Sequence, residues 1–276
     1  MTRRRPSLGA IATAVVFAFL YAPLVVVIAD AFNANPTLTR WGGFTTRWFS
    51  AAFSDSETWS ALWVSVRIAV VSTAVSLLIA TPAALWARSA GSRGRSLLDA
   101  TTYMRIVLPE VVAAVGLFLL FRRLNVGLGM WTVVAGHVVF NSAYATIVIQ
   151  ARMATLSTTL EDAAADLGAT PWRAFRRVTL PLLRPAIVVA GLLAFTFSFD
   201  NVITSAFLGG DNATLPVRIF GLIRFRLTPE INAVAAGVML ITLVTFVLAT
   251  VIVGLRTGSA LVAGTGGAGA AEEPGA

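Results

Sequence analysis

The sequence predicts an all-α polytopic membrane protein with six transmembrane helices, an expectation that rests on three observations. Of its 276 residues, 57% are hydrophobic and only 12% charged, where soluble domains hold about 25% charged residues. Six apolar runs can be marked off along the chain, each long enough to cross a hydrocarbon core of about 30 Å at about 1.5 Å of helix per residue. All 21 basic residues are arginines, and all but Arg67 and Arg105 lie between or beyond those runs.

The first run, Pro6 to Ala29, follows Thr2-Arg3-Arg4-Arg5. A secretory signal begins similarly, but a Tyr-Ala-Pro interrupts the run and no convincing small-residue cleavage site follows, so it reads as an uncleaved span. Asp30 to Trp59 is a polar and aromatic outside loop, with Trp41, Phe44, Trp48 and Phe49 suited to anchoring at the interface. The second run, Ser60 to Trp86, is interrupted by Arg67 and followed by Arg88, Arg93 and Arg95. The third, Thr102 to Phe121, carries Pro109-Glu110, and the fourth, Leu124 to Ala151, holds the single histidine, His137. The fifth runs from Pro185 to Leu208 around Asp200, and the sixth from Ile231 to Leu255. From Thr257 the chain is low-complexity and reads as a disordered cytoplasmic tail over 257–276, leaving one membrane domain over 1–256.

Six spans place both termini on one side. With the N-terminus inside, the cytoplasmic segments hold twelve arginines and the external loops seven. The excess of positive charge on cytoplasmic loops favours this orientation, with both termini cytoplasmic.

Composition also excludes chemistries. No lysine is present, so the chain supplies neither the phosphate-binding lysine of a Walker A loop nor a Schiff-base amine. If ATP drives the protein, another chain carries the nucleotide site. Cysteine is absent too, which removes disulfides, thiolate metal sites and cysteine nucleophiles. The net charge of +8 is scattered over span ends rather than gathered in a stripe, which argues for membrane topology and against nucleic acid.

The longest water-facing, well-punctuated stretch is Thr158 to Pro185. Thr158 and Glu161 have capping-box spacing, and Leu160, Ala163, Ala164 and Leu167 form one helical stripe that ends at Gly168, where a left-handed residue fits. Thr170 and Pro171 start a second short helix, in which Trp172 and Phe175 share a face with Arg173, Arg176 and Arg177 around it; Pro181 is expected to stop it. Helix, glycine bend and basic helix also describe a DNA-binding helix-turn-helix. The flanking apolar runs instead make the segment a cytoplasmic loop on which a soluble partner docks.

These residues resemble the "EAA" loop of ABC importer permeases, Glu-Ala-Ala, three residues, Gly, nine residues, Ile-x-Leu-Pro. Asp162-Ala163-Ala164, Gly168 and Val178-Thr179-Leu180-Pro181 match with every gap the same length, Asp162 and Val178 standing where Glu and Ile are usual. The resemblance implies the type I importer permease (MetI-like) fold, with the cytoplasmic loop over 152–184 as the coupling segment. Asp162, Ala163, Ala164, Gly168, Arg173, Phe175, Leu180 and Pro181 would then contact an ATP-hydrolysing subunit. It implies further that the chain is no enzyme and binds no cofactor itself, with ATP and Mg on two partner ATPase subunits. A second permease subunit, an extracytoplasmic solute-binding protein and the lipid of a bacterial plasma (inner) membrane complete the implied partners.

Ionisable groups inside spans cost roughly 2.5 to 3.5 kcal/mol on insertion scales, so each needs a reason. Asp200, fifteen residues past Pro185, lies about 22 Å along a helix that starts at the inner face. It is a candidate for contact with a cationic solute, with a salt bridge or packing hydrogen bond as the structural alternative. Glu110, behind Pro109, is a second candidate, unless it caps a broken helix. Asp30 marks the end of the first span, and Arg67 can snorkel or pair with a carboxylate. His137, without a second His or Cys, reads as a hydrogen-bonded core histidine rather than a metal ligand. Phe195, Phe197 and Phe199 do not share a helical face; Phe197 is a candidate pore aromatic able to hold an ammonium by cation–π contact.

Several stretches are also similar to the spermidine/putrescine branch of these permeases. They are Phe44 to Phe49, Leu108-Pro109-Glu110, Ser198-Phe199-Asp200-Asn201, Thr214 to Phe220 and Pro229 to Ala233. Asn201 stands where a second acidic residue is common in that branch. The resemblance implies polyamine import through a pathway that includes Asp200, Glu110, Asp30 and Phe197. A permease for another small solute, or an ion-driven secondary transporter, is the alternative.

Overall fold

The computed structural model describes residues 8–225, 228–240 and 242–244, and within them the chain is helical apart from turns and one isolated bridge between Asn33 and Phe44. Two compact units emerge, one of Met1–Ser54 with Phe225–Ala276, the other of Asp55–Arg224.

In the first unit, α1 (Leu8–Asp30) leads to a loop held by Asn33, then α2 (Arg47–Ser54). Asn33 Oδ1 accepts from the backbone amides of Asn35 and Gly42, at 3.0 and 2.9 Å, while its amide donates to the Arg40 carbonyl. Trp48 Nε1 donates to the Asn33 carbonyl at 2.7 Å, which fixes α2 to the loop. Residues 229–240 are helical, and Ala233 packs with Ala31 and Ala52. Of the expected sixth span, residues 231–240 and 242–244 are described and helical; the remainder, the first basic cluster and the tail lie outside the described residues.

The second unit is built on three long helices, α3 (Ser56–Ser89), α6 (Met130–Ala154) and α9 (Leu180–Phe199). At 34 residues, α3 is about 50 Å long and outruns the apolar core of a bilayer. It buries Ala61, Ser65, Ala69, Ser72, Ser76, Ala80, Ala84 and Ala87 along one stripe. Small residues at that spacing let helices approach closely in lipid, where packing rather than the hydrophobic effect drives association. One cluster joins Ala80, Ala84, Ile149, Met153 and Leu183, and a second joins Ile68, Val133, Val134 and Leu208.

Two expected spans are broken. The third is not one helix but α4 (Ser92–Val107) and α5 (Glu110–Arg123), bent by 102°. Pro109 has no N–H to give and forces the residue before it out of the helical region, and Leu108 is extended at φ −66°, ψ 124°. The fifth stops at Phe199 and resumes as α10 (Ile203–Leu208), so Asp200 sits at a helix end rather than within a span. The Asn201 side chain accepts from the Ser205 amide at 3.3 Å, a local bond of the kind that draws Asn out of helix interiors.

The loop differs from expectation in two respects. After α7 (Thr159–Asp166) and α8 (Pro171–Ala174), Pro181 does not end the second helix, because a π-helical stretch, Phe175–Thr179, carries the chain directly into α9. Proline is tolerated in a first turn, and the wider π turn breaks the i−4 ladder before it. The capping box does not form. Thr158 has helical angles with no side-chain cap bond, and Glu161 is drawn instead to a guanidinium. Among the described residues four helices are long and apolar enough to cross a membrane, or five if the bent pair counts as one span. After α10 the chain forms α11 (Leu215–Phe225).

Candidate functional site

Two groups of residues stand out, one in the loop and one at the two breaks. In the loop Gly168 has φ +77°, the left-handed state expected of a helix C-terminal glycine, and the following amide of Ala169 returns to the Ala164 carbonyl at 3.0 Å. Leu160, Leu167 and Trp172 are exposed, Leu167 at 89%. The apolar stripe read from the sequence therefore faces away from the chain. Asp162, Ala163, Arg173 and Pro181 are exposed with it, and Ala164, Phe175 and Leu180 are half-buried. Trp172 and Phe175 pack with their rings tilted by 33° and centroids 5.4 Å apart.

The loop is tied to the helices through Glu161. Its Oε1 accepts from Arg88 Nη1 at 3.0 Å and from Thr179 Oγ1 at 2.7 Å, and Arg88 Nη2 also donates to the Leu156 carbonyl. One carboxylate thus joins the end of α3, the loop helix α7 and the π turn that leads into α9. In the sequence Arg88 is one of three arginines that follow the second apolar run, and a pair 73 positions apart leaves no local pattern.

At the breaks, Glu110 opens α5 and accepts from Asn201 Nδ2 and, at 3.0 Å, from Thr204 Oγ1. His137, 2% exposed, bonds through Nδ1 to Ser198 Oγ at 2.7 Å and through Nε2 to Ser205 Oγ at 3.3 Å. It therefore straddles the break in the fifth run, in keeping with a hydrogen-bonded core histidine. Ser198 continues to Ser72 Oγ at 2.8 Å, and Asn141 donates to the Ala194 carbonyl beside it. Polar groups that would be costly in lipid thereby satisfy one another.

Of the pathway candidates, Glu110 lies in this network and Asp200 is exposed at the break beside Asn201. Phe197 meets Tyr144 edge-on at 5.1 Å, and Asp30 closes α1 in the other unit. Arg67 lies 5.8 Å from the Trp63 ring centroid. Asn201, Thr204 and Ser198 were not singled out as site residues in the sequence, although each flanks Asp200. Among the described residues no group of three or more His, Asp or Glu side chains is disposed to hold a metal ion.

Residues 76–257 match the family model described as binding-protein-dependent transport system inner membrane component. The chain belongs to that family. This inner membrane component is 36% identical over 234 residues to the putrescine transport system permease protein PotI of Escherichia coli strain K12, covering 81% of this chain and 82% of the relative. It is 32% identical over 239 residues to the spermidine/putrescine transport system permease protein PotC of Haemophilus influenzae, covering 86% and 93%. A solved bacterial ABC transporter involved in import of the acidic polysaccharide alginate shares its fold, with a TM-score of 0.67 at 17% identity over 91% of this chain and 97% of that one. The MetNI methionine ABC transporter does so too, with a TM-score of 0.60 at 17% identity over 73% and 98%. The protein is thus a multi-pass inner membrane permease subunit of an ABC importer, not an enzyme.

Proposed function

We propose that this permease subunit passes polyamines, putrescine or spermidine, inward across the bacterial inner membrane. The observation that carries the proposal is the 36% identity to a putrescine permease over most of both chains. The chemistry at the breaks supports it. A pathway for a polycation needs acceptors that replace lost hydration yet release their cargo, and a few carboxylates beside aromatic faces suit that better than a dense acidic cage. Asp200 is exposed, Glu110 keeps its second oxygen without a hydrogen bond among the described residues, and Phe197 is 39% exposed.

The working assembly pairs this chain with a second permease subunit, two ATPase subunits that bind ATP and Mg, and an extracytoplasmic solute-binding protein. Asp162, Ala163, Ala164, Gly168, Arg173, Phe175, Leu180 and Pro181 form the ATPase contact. Closure of the ATPase pair then rocks α3 and α9 through the Glu161 junction, exposing the pathway alternately to either side. Both termini are cytoplasmic, and the domain ends near residue 256.

The test is uptake of radiolabelled putrescine and spermidine into vesicles holding the whole assembly, alongside ATPase stimulation by the loaded binding protein. Asp200→Asn keeps size and hydrogen bonding but removes charge, and is expected to cut polyamine uptake at least tenfold with assembly intact. Uptake confined to neutral sugars, anions or an aminophosphonate would overturn the polyamine reading, the last because a relative at 29% identity is named as a putative 2-aminoethylphosphonate permease. Single cysteines at Ala169 and Asn212 should label from opposite faces; labelling of both from outside would overturn the orientation.

A further inference from the structure

Arg105 is a charge without an evident reason. It lies in the last turn of α4, just before the break at Leu108-Pro109, and its Nε and Nη1 are buried with no hydrogen-bond partner among the described residues. What it does have is an aromatic face: Cζ stands 4.2 Å from the Phe140 ring centroid. It also lies within electrostatic reach of Glu110, on the other side of the bend. A guanidinium normally uses its fork of donors on carboxylates or carbonyls. Here a ring quadrupole and a nearby negative charge hold it, which are the means by which proteins hold alkylammonium ligands.

That ring is one of a series. Phe140 meets Tyr144 at 5.2 Å between centroids, and Tyr144 meets Phe197 at 5.1 Å. Phe197 is exposed, Tyr144, Phe140 and Arg105 are half-buried, and Nε and Nη1 of Arg105 are buried. The three aromatics come from α6 and α9, and the guanidinium from α4. They make a lane that runs from an exposed ring, Phe197, to the buried Nε and Nη1 of the cation that the chain itself supplies.

We propose that Phe140, Tyr144 and Phe197, with Glu110, form a binding lane for alkylammonium groups, and that Arg105 is its internal occupant, displaced when a cationic cargo enters. Arg105 and a cargo ammonium exclude one another by charge as well as by volume, so an empty lane is filled and an occupied one frees the guanidinium. Because Arg105 and Glu110 flank the bend, the exchange is sensed where the two halves of the third run meet. The proposal rests on the polyamine reading for the identity of the cargo, but the cation preference of the lane can be measured without it.

The chain has no cysteine, so Arg105→Cys gives this subunit a single thiol, whose labelling is read on this subunit within the assembled transporter. It removes the internal cation and leaves a thiol in its place. A thiosulfonate reagent carrying ethylammonium is expected to modify that thiol at least tenfold faster than its ethylsulfonate counterpart. Putrescine should slow the reaction at least fivefold, and Glu110→Gln should shrink the preference between reagents. Equal rates for the two reagents, with no protection, would overturn the lane even if the wild-type assembly imports putrescine. Conversely, a strong ammonium preference without putrescine protection or putrescine uptake would uphold the lane and discard the polyamine reading. If Arg105→Cys does not assemble, Tyr144→Cys samples the same lane with the same expected preference, and its absence there overturns the proposal.

Discussion

The side-chain amide of Asn201 donates to the Glu110 carboxylate and so ties the break in the third apolar run to the break in the fifth, across 91 positions of sequence. Neither break is an accident of packing. One is imposed by Pro109 and the other follows a residue pair, Asp200-Asn201, whose short polar side chains compete with helical backbone bonds. The bond converts two local interruptions into one junction. It also explains how an Asn serves where a second acid is common in the resembled branch: an acid there would set like charges together, whereas an amide supplies a donor.

The Glu110–Asn201 bond should be measurable as a coupling energy. Removing one partner of a bond to a charged group leaves the other partly unsatisfied, a cost of about 1 to 3 kcal/mol. Thr204 remains on the same oxygen, so Asn201→Ala is expected at the lower end of that range. A double-mutant cycle with Glu110→Gln, followed by unfolding in detergent, should return a coupling of about 1 kcal/mol or more. Strictly additive losses would mean that the contact does not contribute to the fold.

A second junction sets a pH dependence. Arg218 in α11 donates through Nη2 to Asp55 at 2.7 Å and through Nη1 to Glu57 at 2.6 Å, with Nε reaching Thr58 at 3.1 Å. Burial acts to raise the Asp55 pKa, but hydrogen bonds from Thr58, Arg218 and the Glu57 amide, with the Arg218 charge, outweigh it and hold it below its ordinary value. Burial likewise acts to lower the Arg218 pKa, and bonds to Asp55 and Glu57 with their charges carry it above its ordinary value. A carboxylate depressed on folding contributes fully above its unfolded pKa, about 3.9, and loses that contribution as pH falls through the folded value. Arg218 stays charged throughout that window. The melting temperature should therefore hold from neutral pH to about 5 and decline below about 4, and Asp55→Asn should start lower and decline less. Parallel curves for the two proteins would show that Asp55 is not the group that titrates.

How much of this was legible in the sequence depends on how local the cause is. Apolar length gave α1, α3 and α6 directly, because a span is a property of consecutive residues. The left-handed Gly168 and the shared face of Trp172 and Phe175 were legible for the same reason. Pro109 carried its signal openly, yet the apolar run around it reads as continuous, since hydropathy does not register backbone angle. Pro181 misled in the opposite direction: a proline stop signal was overridden by a π turn, which no residue pattern announces. The capping box failed because Glu161 has a tertiary partner in Arg88. The bonds of Glu110 to Asn201 and of His137 to Ser198, and the stacking of Arg105 on Phe140, join distant positions, so single-sequence periodicity holds no trace of them.

Gly168 separates backbone conformation from docking in the loop. Its φ is +77°, and a Cβ built there meets nothing within 4 Å. The penalty for another residue is thus conformational rather than steric, about 1 to 2 kcal/mol for an ordinary side chain, and higher when the side chain is β-branched. Asn visits the left-handed region readily, because its side chain can bond locally. Gly168→Asn is therefore expected to keep most transport, while Gly168→Val is expected to distort the end of α7 and reorient Leu167 and Trp172, which flank the proposed ATPase contact. Because a Cβ at Gly168 meets nothing within 4 Å, the distortion should stay in the loop, so the Val variant should insert and keep its membrane helices while losing at least nine-tenths of its uptake. Uptake, ATPase binding and membrane content are read on the same vesicles. Normal transport by Gly168→Val with its ATPase bound would show that the turn does not orient the coupling surface, and equal loss in both variants would show that the site tolerates no side chain for a reason other than backbone angle.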